Sequence, residues 1–187
     1  TLAALAATGQ PAKHEPFHPM PDGFRHVAFD DIEALEGAVD PSVSAVLLET
    51  VQGEGGVVPA SVEYLQAVRR LCDERKLLLI VDEIQTGFAR TGEWFGFQHA
   101  GVVPDVVTMA KAMGNGVPVG AVWATREIAS VMKPGDHGST YSGTAIATAA
   151  VNAVLDEMRR LDAPSLARQR SAELRSALLG LDGVSLV

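Results

Sequence analysis

Apolar runs and amphipathic stretches alternate through the middle of the chain, which predicts strands alternating with helices. Four continuous apolar runs are typical of strands covered on both faces: residues 45–49, 77–83, 105–110 and 119–125. Residues 61–76 instead place Leu65, Val68 and Leu71 on one side of a helix that begins at Ser61. This order of elements predicts an α/β fold with a mostly parallel central sheet flanked by helices.

The rest of the chain is predicted to be mainly helical. Helical spacing or capping residues mark four more helices: residues 30–39, 125–132, 144–161 and 163–181. Residues 26–29 and the terminal run 183–187 have the composition of short strands. Four prolines between residues 9 and 25 predict an extended surface segment without a regular helix.

Composition narrows the class of protein. The 187 residues are 47% hydrophobic and 20% charged, as in a globular domain of ordinary size. The net charge of −8 argues against nucleic acid or an anionic membrane as a partner. The single cysteine, Cys72, predicts no disulfide within the chain and no zinc site, and it favours a reducing compartment such as the cytoplasm.

Both ends of the chain are expected to lie inside a larger fold. The sequence begins with Thr1 rather than Met and stops directly after the apolar run 183–187. No stretch is long and apolar enough to span a bilayer. We therefore expect an internal portion of a longer protein.

Charged residues follow the predicted strands at the positions where α/β sheets bind ligands. Glu49 and Asp82 end two apolar runs, and Lys111 follows a third. Taken singly, Asp82 could cap the next turn, and Lys111 could extend into solvent at a helix start. A phosphate loop of the GxxxxGK[ST] type is absent from the sequence.

Taken together, Asp82 and Lys111 suit pyridoxal phosphate. A lysine amine forms a Schiff base with the aldehyde of this cofactor. An acid beside the ring nitrogen keeps that nitrogen protonated, so that the ring accepts electrons. Residues 137–144 offer hydroxyls and flexible backbone before a helix, which suits either a phosphate site or a plain polar loop.

Four motifs resemble those of the class III, or ornithine-type, aminotransferases of the pyridoxal-phosphate fold type I. They are LLETVQGEGGV at 47–57, VDEIQTGFARTG at 81–92, DVVTMAKAMGNGVPVGA at 105–121 and KPGDHGSTYSG at 133–143. Residues 1–27 are similar to the acetylornithine branch of that family. The resemblance implies a large cofactor-binding domain over residues 1–160, without its N-terminal part, and the start of a small domain over 161–187.

The resemblance also implies roles for residues around the cofactor. Asp82 would bind the ring nitrogen, Ile84 would pack on the ring, and Gln85 would bond the ring hydroxyl. Glu83, from the same motif, is also expected to be a cofactor-binding residue. Lys111 would be the catalytic residue, bonded covalently to the cofactor and transferring a proton during the reaction.

Four further residues are implied in substrate binding or in a shared site. Thr140 would reach the phosphate of the cofactor in a partner subunit, with Ser139 near the partner's substrate, so that the enzyme would be a homodimer. Glu49 would lie near the cofactor, and Glu54 matches a glutamate that gates access of substrate carboxylates.

The implied reaction transfers the ω-amine of N-acetylornithine to 2-oxoglutarate in arginine biosynthesis. The sequence departs from the usual family pattern at Thr50, at Asn115 and over residues 142–145. These departures leave open another donor, namely ornithine, succinylornithine or 4-aminobutyrate. They also leave open an inactive structural or binding fragment.

Overall fold

The computed structural model describes residues 1–184, so the end of the strand-like run 183–187 lies outside the described residues. Seven α-helices are present in this part of the chain: α1 (Leu2–Ala7), α2 (Pro11–His14), α3 (Ile32–Ala38), α4 (Val62–Arg75), α5 (Arg126–Ala129), α6 (Ala145–Arg160) and α7 (Ala163–Leu179). The strands are β1 (Ala45–Glu49), β2 (Val51–Gln52), β3 (Val58–Pro59), β4 (Leu78–Asp82), β5 (Val106–Met109) and β6 (Ala121–Ala124). Short 3₁₀ turns occur at Glu15–Phe17, Gly96–Ala100 and Lys111–Met113.

Four strands form the central sheet in the order β1-β4-β5-β6. β1 pairs with β4 and β4 with β5 in parallel, while β6 runs antiparallel to β5. The prediction of a mostly parallel sheet flanked by helices is therefore confirmed. Because β4 and β5 are parallel neighbours, the residues that follow them emerge at the same edge of the sheet.

The core lies between α4 and one face of the sheet. Val68 and Cys72 of α4 are fully buried, and Leu79 and Val81 of β4 are nearly so. Side chains alternate along a strand, so Ile80 and Asp82 belong to the opposite face of β4. The sheet thus separates an apolar face packed against α4 from the face that carries Asp82.

The N-terminal region differs from its prediction in two places. Residues 26–29 form no strand, because the segment finds no neighbouring strand to pair with and Arg25 instead bonds the carbonyl oxygen of Ala38 at 2.9 Å. The proline-rich segment does contain one helical turn, Pro11–His14. Pro11 is tolerated there because the first residue of a helix has no need of its N–H.

Candidate active site

Three polar side chains share one row across the sheet. Glu49 pairs in register with Asp82, and Asp82 pairs with Thr108. Paired residues on neighbouring strands point to the same face, and here it is the face opposite α4. The row places two carboxylates and a hydroxyl side by side at the carboxyl edge of the sheet.

Asp82 is the last residue of β4 and is partly buried. Its Oδ1 accepts a hydrogen bond from the backbone N–H of Ile84 at 2.9 Å, which fixes the turn that follows the strand. No described donor bonds the other oxygen, Oδ2. A partly buried carboxylate with one free oxygen is suited to accept a bond from a cationic ring N–H.

Lys111 follows β5 and starts the turn Lys111–Met113. Its φ is 39°, a left-handed conformation that a residue with a Cβ rarely adopts. Its side chain is exposed and lines an open depression with Asn115, Gly116 and Val117. No hydrogen bond or ion pair engages its amino group in the described part of the chain, so this amine is available to a ligand.

The glycines after Lys111 are required by the backbone. A Cβ on Gly114 would lie 2.2 Å from the carbonyl oxygen of Val117, and Gly116 has a φ of 105°. Asn115, where the sequence departs from the usual family pattern, also has a positive φ of 44°. Asparagine tolerates this conformation better than most residues, so the departure preserves the turn.

The segment after β1 approaches the turn after β4. Glu49 Oε2 accepts a bond from the N–H of Gly53 at 3.1 Å. A Cβ on Gly53 would lie 2.6 Å from Nε2 of Gln85, so the Gln85 side chain rests against the backbone of this segment. Glu49, Gly53 and Gln85 therefore form one packed corner beside Asp82.

Other predicted site residues lie apart from this corner. Glu54 is exposed in the turn between β2 and β3. Ser139 and Thr140 are exposed in the segment before α6, where Ser139 Oγ accepts a bond from the N–H of Tyr141 at 3.4 Å. Within residues 1–184, no hydrogen bond connects these three residues with Asp82 or Lys111.

Thr108 is a site residue that the sequence reasoning missed. Its Oγ1 is buried and has no hydrogen-bond partner within residues 1–184. A buried hydroxyl without a partner is unfavourable, which indicates a polar group that completes it. The signal in the sequence was a single polar residue in the otherwise apolar run VVTM at 106–109. In the sheet, this threonine lies two strands away from Glu49.

These residues fit pyridoxal phosphate. The orphaned hydroxyl of Thr108, the free oxygen of Asp82 and the unpaired amine of Lys111 belong to the ends of two neighbouring strands. The sequence prediction that Asp82 and Lys111 follow adjacent strands is confirmed by the pairing of β4 with β5. Their roles toward the cofactor stay predictions.

Glu83 differs sharply from its neighbour Asp82. It is 0% exposed, and both of its carboxylate oxygens accept hydrogen bonds from other parts of the protein. The Glu83 carboxylate therefore contacts other protein groups and does not lie on the open face of the sheet.

The described residues hold neither a metal-binding cluster nor a membrane-spanning helix. No group of three or more His, Cys, Asp or Glu side chains between residues 1 and 184 is arranged to hold a metal ion. None of the helices in that range has the length and apolar character to cross a membrane.

A family model described as aminotransferase class-III matches residues 1–185. An acetylornithine aminotransferase from Gloeobacter violaceus is 48% identical over 178 residues, which are 95% of this chain and 44% of that protein. A succinylornithine transaminase from Salmonella paratyphi B is 46% identical over 170 residues, covering 91% of this chain and 42% of its own length.

A solved structure shows the same fold. The ornithine aminotransferase of Toxoplasma gondii superposes with a TM-score of 0.90 at 37% sequence identity. The match covers 95% of this chain and 43% of that protein. The chain thus spans less than half the length of the relatives that it matches.

Proposed function

Because the chain belongs to the class-III aminotransferase family, we propose that it carries the cofactor-binding part of a pyridoxal-phosphate-dependent aminotransferase. The observation that supports this most directly is the adjacency of the ends of β4 and β5. That adjacency brings a carboxylate with one free oxygen and an unpaired lysine amine to one edge of the sheet.

The proposed mechanism assigns a separate task to each residue. Bound pyridoxal phosphate supplies an aldehyde that accepts the amino group and a ring that accepts electrons. Asp82 Oδ2 would accept the hydrogen bond of the protonated ring nitrogen, while Ile84 would pack on the ring and Gln85 would bond the ring hydroxyl. Lys111 Nζ would hold the cofactor covalently in the resting enzyme, and once the donor amine has displaced it, the freed amine would take up the proton from the donor carbon.

Substitution of Lys111 tests this assignment. Lys111→Ala should abolish both the visible absorbance of the bound cofactor and transamination, because no other described residue offers an amine at this edge. Lys13→Ala is the matched control, since Lys13 is exposed in α2, far along the chain from the strand ends. A Lys111→Ala protein that kept full transamination would contradict the role of Lys111.

We further propose N-acetylornithine as amino donor and 2-oxoglutarate as acceptor, in arginine biosynthesis. The relatives named acetylornithine aminotransferase support this choice, and the succinylornithine and ornithine enzymes supply the alternatives. Glu54, exposed in the turn between β2 and β3, is suited to meet a mobile partner such as an arginine or a substrate.

A half-reaction screen separates these donors. Each amine is mixed with the holoenzyme without an acceptor, and the rate of the spectral change of the bound cofactor is measured. N-acetylornithine should react fastest, ahead of succinylornithine, ornithine and 4-aminobutyrate. A faster reaction with any of the other three would replace the proposed donor, and no reaction with any would favour an inactive fragment.

We also propose a cytoplasmic homodimer in which Ser139 and Thr140 serve the partner's site. The exposed segment before α6 supports this, because it leaves both side chains accessible to another subunit. We propose a cofactor-binding domain over residues 1–160 and the start of a small domain over 161–187. The turn between α6 and α7, where Asp162 has a φ of 46°, agrees with such a boundary.

A further inference from the structure

Glu83 is a buried carboxylate that holds two separate segments together. Oε2 accepts the hydroxyl of Thr86 at 2.5 Å and the N–H of Gly96 at 2.9 Å. Oε1 accepts the N–H of Phe97 at 2.9 Å. The turn after β4 is thereby bonded to the turn Gly96–Ala100, thirteen residues farther along the chain.

The backbone of Glu83 is fixed as well. Its N–H donates to the carbonyl oxygen of Thr108 at 2.9 Å, and its carbonyl oxygen accepts the N–H of Gly87 at 2.9 Å. No Lys, Arg or His neutralises the carboxylate in the described structure. A buried carboxylate without a cation depends on precisely placed donors, so these bonds constrain both segments.

The packing allows little adjustment around this carboxylate. A Cβ on Gly96 would lie 2.4 Å from Thr50 Oγ1 and 3.3 Å from Glu83 Oε1. A Cβ on Gly87 would lie 2.8 Å from the carbonyl oxygen of Glu83. Both glycines are therefore needed for the close approach of the two segments.

Glu83 directly follows the last residue of β4, and its carboxylate has different surroundings from that of Asp82. Asp82 belongs to the face with Thr108 and Glu49, whereas Glu83 meets the Phe97 turn, which packs against the core beneath α4. Glu83 cannot shift without moving the backbone of Asp82 on one side and of Ile84 and Gln85 on the other.

We propose that Glu83 is a positioning residue for the cofactor site: by bonding Thr86, Gly96 and Phe97, it fixes the backbone from Asp82 to Gln85 at the angle needed to hold the cofactor ring. The proposal rests on the proposed function. It assigns Glu83 an indirect effect on the ring, exerted through Asp82 and Gln85.

The test compares Glu83→Gln with Asp105→Asn in the holoenzyme. Glutamine keeps the shape but presents an NH₂ group to a site that holds three donors, so one bond becomes a donor–donor contact. Asp105 is the comparison residue, because its carboxylate also accepts a backbone N–H, that of Leu79 at 2.7 Å, but lies at the opposite end of β4 and is paired with Arg69 at 2.9 Å. Cofactor dissociation, the pH midpoint of the cofactor absorbance and thermal stability are measured for both.

Glu83→Gln should weaken cofactor binding by about tenfold, which corresponds to about 1.4 kcal/mol, and should move the absorbance midpoint by about one pH unit. Asp105→Asn should lower the melting temperature but leave both cofactor readouts at their wild-type values. If Glu83→Gln lowers stability while the affinity and the midpoint stay unchanged, the residue is only structural and the proposal is wrong.

Two substitutions of Thr86 test the proposal if Glu83→Gln does not fold. Thr86→Val removes one donor to Glu83, and Thr86→Ser retains it. Thr86→Val should shift the pH midpoint of the cofactor absorbance in the same direction as Glu83→Gln, but by less. Thr86→Ser should keep the midpoint of the wild type. Equal midpoints in the two Thr86 variants would overturn the proposal. A wild-type protein that takes up no cofactor would instead contradict the proposed function, so the two failures are distinct.

Discussion

The hydroxyl of Thr108 makes the clearest prediction at the scale of a single residue. Its Oγ1 is buried and has no hydrogen-bond partner among the described residues. Thr108→Val keeps the shape and the β-branched side chain but removes this hydroxyl. It should raise the free energy of unfolding by about 1 kcal/mol, measured by urea denaturation of the cofactor-free protein.

Thr108→Ser is the control, since it keeps the hydroxyl and should give no such gain. A valine variant less stable than the wild type would indicate that the hydroxyl already has a partner. The comparison therefore tests whether the row formed by Glu49, Asp82 and Thr108 contains an unsatisfied group.

Cys72 predicts a pH dependence of stability. Burial raises the pKa of its thiol from 9.0 to about 11. The neutral thiol favours the folded state, so its stabilisation is complete below pH 9 and is lost as the pH rises toward 11. The loss for a shift of this size is about 2–3 kcal/mol.

Denaturation of the wild type and of Cys72→Ala between pH 7 and pH 11 checks this prediction. The difference between the two proteins should stay constant up to pH 9 and shrink above it, because alanine does not titrate. A constant difference up to pH 11 would show that the thiol ionises alike in the folded and unfolded chain. The folded wild type should also resist alkylation at pH 8, where the buried thiol is neutral.

At the scale of an element, α4 depends on its N-terminal cap. Ser61 Oγ accepts the N–H of Tyr64 at 3.1 Å and donates to Asp30 Oδ1 at 2.9 Å. Ser61→Ala should therefore lower the unfolding free energy by about 1–2 kcal/mol. Thr125→Ala is the comparison, since Thr125 caps the short α5 through a weaker contact of 3.5 Å to Ile128 N–H.

Thr125→Ala should lower the unfolding free energy clearly less than Ser61→Ala does, when both are measured by urea denaturation. Equal losses would mean that the bond to Asp30 adds nothing to the cap. The contrast is informative because α4 covers the core face of the sheet, whereas α5 contributes no buried residue.

Three strands that the sequence predicted well have a pattern that is set by burial. β1, β4 and β5 are buried on at least one side, and their apolar runs mark them to within two residues. Residues 26–29 have a similar pattern, but a strand also needs a neighbour, which a local pattern does not reveal. The turn Pro11–His14 was missed because proline excludes a helix interior and not a helix start.

The candidate site likewise has features that the sequence predicts and features that it does not. The adjacency of Asp82 and Lys111 could be predicted, because parallel strands end at one edge of a sheet. The partners of Glu83 could not, since Gly96 and Phe97 follow it by more than a dozen residues and donate through their backbone. Because any residue except proline can donate through its backbone, such donors cannot be recognised in the sequence. The sequence therefore does not distinguish a carboxylate buried within the protein from one that binds a ligand.

At the scale of the whole molecule, the segment that leads from α5 into α6 is strongly exposed. Tyr141 is 84% exposed and Ile146 is 79% exposed, although both are large and apolar. Exposed apolar side chains of this kind are typical of surfaces that meet another subunit. Together with the exposed side chains of Ser139 and Thr140, they support the proposed dimer with shared sites.

Mixed dimers test the sharing directly. Lys111→Ala and Thr140→Val each damage the site, so each homodimer should be inactive or strongly impaired. In a hybrid dimer with shared sites, one site carries both substitutions and the other carries neither. An equal mixture that assembles at random should therefore recover about a quarter of the wild-type activity.

The measurement is transaminase activity after the two variants are unfolded together and refolded, with each variant refolded alone as the control. If Thr140 served the Lys111 of its own chain, both sites of every hybrid would carry one substitution and no activity would return. Recovery therefore requires Thr140 to cross between subunits, and its absence from a mixture shown to contain hybrids would contradict the shared site.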